Sequence, residues 1–492
     1  VQKKVDLTIG LFIKITVQVV CGPFTFSEYP IPVIATALGI ILFTFFISLQ
    51  RQEYFSFLLQ LLICNHFLFG YENGGVFNFA ASISLIIYLF ISKNQTFVNT
   101  SLSKGCLISI LLLGIIQGLS LFNSDSALNL KLIAAFFFFN LLFLFYYSSK
   151  IALSSKNFVN IFQVLGLFFI YMFIVSLNQK FIFFQSNYAF FPNLDPDAEY
   201  ELGITRSAGT LGNFEAYAEY SVSMAALCLP GILSGSYFKA NRPFYYFCCL
   251  IVLLSILSIV LSGTRSSILL LPFLIITICI ILGRQLKIKT ILVSAFLITA
   301  FVIINNDQDF FDLNVFSQRS ESVDFQKLTL SKLLSGEEMN RGNIFAYAFK
   351  KIDRVSGLVG EGYFTNRSEY TKVHFDQGKD VSIPDYHNLY LSSIVIWGYV
   401  GTIIFISIFI STIIRGFKLY YKLRSNHFYL VDLLLGFNLL FTFFMINQFK
   451  IQFIRDANYF VLIFLLLAVY NSLMKYLSNL SNSYWMLVST TI

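Results

Sequence analysis

The sequence predicts an all-α, polytopic integral membrane protein of about 12 to 14 transmembrane helices, with one large extracytoplasmic loop that contains an amphipathic helix. Three observations predict it. Of the 492 residues, 57% are hydrophobic and 12% charged, against roughly 25% charged in a soluble globular domain. Apolar windows of about 17 to 25 residues, the length that crosses a hydrocarbon core about 30 Å thick, recur almost from end to end. The cationic residues also alternate in density from one connection to the next, as they do when successive loops lie on opposite sides of a membrane.

Fourteen candidate spans follow in order. They run near Leu7 to Gly22, Ile31 to Leu49, Tyr54 to Phe69, Val76 to Ser92, Cys106 to Leu121, Leu132 to Phe145 and Phe158 to Leu177. After these come Phe214 to Leu233, Phe244 to Ser262, Ser266 to Gly283, Ile291 to Ile304, Leu389 to Ile414, Leu430 to Ile446 and Tyr459 to Met474. The first is the weakest, because Lys14 sits within it. Lys3 and Lys4 precede an apolar run, but no small-residue cleavage site follows, so the run reads as a span and not as a cleavable signal. Four regions result: 1–177 and 389–492 are transmembrane helices, 178–304 holds spans with arginine-bearing outer loops, and 305–388 is the large extracytoplasmic loop.

Positive charge is retained on the cytoplasmic side of a membrane. With the N-terminus inside, the inner loops and termini hold Lys3, Lys4, Arg51, Lys93, Lys104, Lys150, Lys156, Lys239, Arg242, Arg284, Lys287, Lys289, Arg415, Lys418, Lys422, Arg424 and Lys475. The short outer loops hold only Lys131, Lys180, Arg206, Arg265, Lys450 and Arg455. Both termini are therefore expected in the cytoplasm. The net charge of +8 follows from this sidedness and needs no nucleic-acid partner. The seven cysteines lie in or beside spans, and none lies in the long loop, so neither a disulfide framework nor a zinc site is implied there.

Polar chemistry is concentrated in two outer segments, Asn178 to Asn213 and Asn305 to Tyr386. Unstructured loops of this length are uncommon and are usually functional or carry secondary structure of their own. In SGEEMNRGNIFAYAFKKIDR, Ser335 and Glu338 have capping-box spacing, and Ile344, Ala348, Phe349 and Ile352 share one helical face. This is the amphipathic helix. GLVGEGYF follows, with Gly357, Gly360 and Gly362 permitting a tight turn; its simplest reading is a loop reversal.

Arg206 lies shortly before a span, and Arg265 sits in a connection only a few residues long. An arginine so close to hydrocarbon is costly unless paired or wetted, which makes each a functional candidate. The structural alternative is a guanidinium that snorkels to the interface. A planar guanidinium can give two parallel hydrogen bonds to a diphosphate and stabilise charge building on it as a leaving group. His387, in DYHNLYLSSIVIWGYVG, has an imidazole able to accept a proton from an attacking hydroxyl. Its alternative role is a polar residue marking where a helix leaves the water. Asp195 with Asp197, and Asp307 with Asp309, have the alternating spacing of carboxylates that share a divalent metal, a pattern also common in exposed loops.

The order of RSAGTLGNFEAYAEY from Arg206, LSGTRSS around Arg265, NRGNIFAYAFKKIDRVSGLVGEGYF from Asn340 and DYHNLYLSSIVIWGYVG resembles the O-antigen ligase and polymerase superfamily of bacterial membrane glycosyltransferases. That superfamily includes protein O-oligosaccharyltransferases. The resemblance covers roughly Arg206 to Gly401. It implies a bacterial inner-membrane enzyme that takes a glycan from undecaprenyl diphosphate at the outer face, with no metal or other cofactor. Arg206 and Arg265 would bind the diphosphate, His387 would activate the acceptor hydroxyl, and Arg341 and Asn388 would support them. The sequence departs from the family in Thr264, where serine is more usual, and in lacking a proline before the glycine turn.

The acceptor would be a lipid A core sugar in a ligase, another lipid-linked glycan in a polymerase, or a serine or threonine in a protein glycosyltransferase. The single dominant outer loop leans the reading to a ligase. A polysaccharide flippase would also have this many spans, but transporters place polar residues near the midplane and tend to show internal repeats. Here the distinctive charges lie at one surface.

Overall fold

The computed structural model describes residues 101–123, 128–151, 153–181, 207–211, 214–283, 357–362, 388–426, 428–450, 453–455 and 457–490. Among these the regular structure is helical, with no strand. The long helices are α1 (Lys104–Phe122), α2 (Leu128–Ser148), α3 (Ser155–Phe181) and α4 (Phe214–Leu233). A short α5 (Ser236–Ala240) leads into α6 (Arg242–Ser262) and α7 (Arg265–Leu282). The chain ends with α8 (Leu389–Leu423), α9 (Tyr429–Asn447) and α10 (Ala457–Thr490).

Eight of these helices are long and apolar enough to cross a membrane, and α7 is a shorter apolar helix over Ser266–Leu282. Each of the nine coincides with a span expected from the sequence. The expected spans at Leu7–Gly22, Ile31–Leu49, Tyr54–Phe69, Val76–Ser92 and Ile291–Ile304 lie outside the described residues, as does the expected amphipathic helix after Ser335. The protein is thus an all-α polytopic membrane protein.

Local chemistry sets several helix ends. Ser103 caps α1 by accepting from the Cys106 N–H at 3.2 Å, and Asn241 caps α6 by accepting from Phe244 N–H at 3.2 Å, with a proline in the first turn. These side chains satisfy backbone donors that have no partner within the helix. At the other end of α6, Gly263 takes φ 59° and returns its N–H to Val260 O at 3.0 Å.

The bundle has a protein-facing interior and a lipid-facing rim. α4, α9 and α10 have 89% of their apolar window buried, whereas α1 has 39%. On α1 the exposed residues Ile108, Leu111, Ile115, Leu119 and Phe122 repeat at three- and four-residue spacing and so form one apolar face for lipid. In hydrocarbon, apolar burial gives helices little reason to associate, and close packing of small residues takes its place. Gly436 on α9 lies directly on the α4 backbone: a Cβ there would come within 2.9 Å of Leu227 Cα and 3.0 Å of its carbonyl oxygen.

Hydrogen bonds define the two ends of the bundle. At one, Ser101 N–H donates to Ser149 O at 3.0 Å, and Ser234 Oγ–H donates to Asp432 Oδ2 at 2.6 Å. The cations Lys104, Lys150, Lys156, Lys239, Arg242, Lys418, Lys422, Arg424 and Lys475 belong to this end. At the opposite end α1, α3, α6 and α9 finish and α2, α4, α7, α8 and α10 begin, with Lys131, Lys180, Arg265, Lys450 and Arg455 as the described cations. This partition agrees with the sequence assignment of inner and outer loops.

Replacing Gly436 with leucine should force α4 and α9 apart. Overpacking of this kind costs about 1–3 kcal/mol, so the purified variant should unfold at a lower temperature in detergent than wild type. An unchanged melting temperature would show that the helices do not approach at Gly436.

Candidate functional site

The less basic end is built from four short segments. The first begins at Ser207. Its N–H donates to Leu261 O at 3.2 Å and its Oγ–H to Ser176 O at 3.0 Å, tying the segment to the ends of α6 and α3. The Gln179 amide then clamps the next residues, with Oε1 accepting from Ala208 N–H at 3.0 Å and Gly209 N–H at 2.9 Å, and Nε2 donating to Gly209 O at 2.8 Å. The fully buried Tyr217 hydroxyl lies 2.9 Å from Ser176 Oγ and 2.8 Å from Ser258 Oγ. Arg206 lies outside the described residues, but the residue that follows it is fixed to two helix ends.

The second segment is the connection between α6 and α7, only Gly263 and Thr264 long. Thr264 is the N-cap residue of α7 in extended conformation, and its hydroxyl donates to Phe214 O at 3.4 Å. Arg265 is the first residue of α7; its side chain lies outside what is described. Since Ser207 bonds to Leu261, the backbone beside Arg206 meets the last turn of α6, four residues before Arg265.

The third segment is the start of α8. Asn388 is its N-cap: Oδ1 accepts from Tyr390 N–H at 2.9 Å and Leu391 N–H at 3.1 Å. The same side chain donates Nδ2–H to Phe449 O at 3.1 Å, while Leu389 N–H donates to Gln448 O at 3.0 Å and the Tyr390 hydroxyl to Met445 O at 2.8 Å. Asn388 and Tyr390 therefore start the helix and fasten it to the end of α9. His387 lies outside the described residues, one peptide bond before this cap. Arg341 and the paired aspartates also lie outside them.

The fourth segment, Gly357–Gly362, does more than reverse the chain. α8 is broken at Gly398, with φ 67° and ψ −177°, so Val395 O cannot accept from Tyr399 N–H within the helix. It accepts from Glu361 N–H at 2.9 Å, Ile396 O accepts from Gly362 N–H at 2.7 Å, and Tyr399 N–H donates to Gly357 O at 2.8 Å. The glycine segment replaces the missing rungs of the helix, as hydrocarbon requires of any interrupted backbone. Contact is too close for side chains: a Cβ on Gly398 would collide with the Leu358 carbonyl, and one on Gly360 would come within 2.5 Å of Ile396 O. Asn123 at the end of α1 donates to Gly360 O at 3.3 Å, and Trp397 Nε1–H donates to Gln117 Oε1 at 2.6 Å.

Two acidic residues join these segments. Glu215 pairs with Lys450 at 2.9 Å, and Lys450 Nζ lies 3.5 Å from Ser266 Oγ, beside Arg265. Glu219, only 2% exposed, accepts at Oε2 from Asn447 Nδ2–H at 2.5 Å and Gln448 Nε2–H at 2.7 Å, and at Oε1 from the Tyr459 hydroxyl at 3.0 Å. Reasoning from motifs did not single out Glu219. The signal was present, since an ionisable residue one turn inside a span is a functional candidate by default.

The architecture is that of a polytopic helical membrane protein whose described polar segments gather at one end. Residues 250–406 match the family model for O-Antigen ligase. The match supports membership of the O-antigen ligase superfamily and a glycosyltransferase-like enzyme, in agreement with the motif order. It takes in Arg265, Arg341, His387 and Asn388 and begins after Arg206. No curated protein matches the chain.

Substituting alanine at Gly398 should detach the glycine segment, because holding a residue with a Cβ at φ 67° and ψ −177°, a region open essentially to glycine alone, costs roughly 1–3 kcal/mol before the collision is counted. Limited proteolysis should then cut within 357–362 faster than in wild type. Equal cleavage rates would contradict the docking of that segment on α8.

Proposed function

We propose that the protein is a glycosyltransferase that moves a glycan from undecaprenyl diphosphate to an acceptor hydroxyl at the outer face of a bacterial cytoplasmic membrane. An O-antigen ligase acting on a lipid A core sugar is the best-fitting form. One observation carries the reading: the chain segments adjoining Arg206, Arg265 and His387 are fastened to one another at the less basic end of the bundle. The positive-inside bias assigns the more basic end to the cytoplasm and this end to the outside.

In this reaction the His387 imidazole takes the proton of the acceptor hydroxyl. The acceptor oxygen forms a bond to the anomeric carbon as the bond from that carbon to the phosphate oxygen breaks. The electron pair leaves with undecaprenyl diphosphate, whose developing charge Arg206 and Arg265 stabilise. A single displacement inverts the anomeric configuration. Within the large loop, Gly357–Gly362 is anchored on α8 as described above.

The test is transfer of a defined lipid-diphosphate glycan in reconstituted membranes, with core lipid, lipid-linked repeat unit and peptide as alternative acceptors. Removal of a general base typically costs about 10²–10⁴-fold, and loss of a charge that stabilises the transition state about 10²–10³-fold. His387→Ala should fall in the first range, Arg206→Ala and Arg265→Ala in the second, and a chelator should leave wild-type transfer unchanged. Full transfer by His387→Ala would remove it as the base. Transfer only to the repeat unit or to peptide would replace ligase by polymerase or by protein glycosyltransferase.

A further inference from the structure

We infer that Glu219 is a positioning residue for this site, acting through the turn Asn447–Lys450. The inference rests on the glycosyltransferase reading for its kinetic consequence, but its structural consequence stands alone.

The turn after α9 is held from below by one carboxylate. Asn447 gives Nδ2–H to Glu219, and its own Oδ1 has no partner among the described residues, so the carboxylate decides how this amide is turned. Gln448 gives Nε2–H to the same carboxylate oxygen, and its Oε1 accepts from Phe453 N–H at 2.9 Å, which closes the return of the chain toward α10. The Tyr459 hydroxyl on α10 is a third donor to this carboxylate. Glu219 thus faces three donors from α9, its following turn and α10. Donors around a buried carboxylate fix geometry, because each one lost leaves charge uncompensated in a low-dielectric interior.

What this turn holds distinguishes positioning from simple stapling. Gln448 O receives the first N–H of α8 and Phe449 O receives the Asn388 side chain, one residue from His387. Two residues after Gln448, Lys450 reaches Glu215 and Ser266, beside Arg265. A change at Glu219 therefore reaches both the proposed base and one proposed diphosphate ligand through the same four residues. None of these links runs to the basic end of the bundle.

The full-length protein in lipid nanodiscs provides the test, with Glu219→Gln, Tyr459→Phe and the pair Glu219→Gln with Asn447→Asp. Glutamine keeps the volume but presents an amide N–H to donors; aspartate at 447 supplies an acceptor and restores a donor–acceptor pair in the reverse sense. Hydrogen exchange should speed up in peptides covering 388–392 and 264–268 of Glu219→Gln and stay unchanged in α1. Misplacement by about 1 Å costs on the order of 10²-fold, so turnover should fall about 10- to 100-fold. Tyr459→Phe should show a smaller loss of the same kind, and the reciprocal pair should recover at least half of the exchange protection and turnover. Unchanged exchange at 388–392 in Glu219→Gln would overturn the inference, as would turnover equal to wild type or no recovery in the pair. If wild type transfers no glycan to any acceptor, the proposed function fails, and the exchange result alone decides the positioning claim.

Discussion

A carboxylate in the interior of a membrane protein is tolerated only where donors surround it, and the cluster around Glu219 organises one whole end of this bundle. Its partners come from the end of α9, the turn beyond it and the start of α10. The turn in turn receives the first residues of α8 and sends Lys450 to the start of α4 and α7. Below this polar layer an aromatic cluster of Phe405, Phe453, Phe460 and Phe464 joins α8 to α10, with neighbouring ring centroids 5.2–6.3 Å apart. The polar turn is thus supported by rigid packing on its membrane side.

A second constraint is the need of hydrocarbon to see every backbone group paired. α8 breaks at Gly398, and the three glycines at 357, 360 and 362 let a loop approach closely enough to supply the lost bonds. The large loop is thereby fastened to the helix that follows His387, about three turns further along. The segment Gly357–Gly362 therefore cannot move independently of α8.

Nine spans were legible in the sequence because length and apolarity are set by bilayer thickness alone. The division of the described cations between the two ends of the bundle was legible for a related reason: charge partition is a property of loops and needs no packing. Asn388 before an apolar run has the form of an N-cap signal, and in the fold it caps α8. The glycine run reads in sequence as a plain reversal, because its partner Gly398 is 36 residues or more away in sequence and an isolated glycine in a span does not announce a break. Glu219 is inconspicuous in the sequence for the same reason. Its donors Asn447, Gln448 and Tyr459 lie more than 200 residues downstream, and only the folded bundle brings them to it.

The central claim is that the working surface lies at the less basic end, where the neighbours of Arg206, Arg265 and His387 are tied together. The most direct measurement is photocross-linking with an isoprenyl diphosphate that carries its reactive group beside the diphosphate, followed by peptide mapping. The account predicts labelling in 207–211, 264–268 and 388–391, competed by unlabelled lipid diphosphate. Competed labelling confined to the opposite end, around Lys239, Arg242 and Lys418 to Arg424, would contradict it.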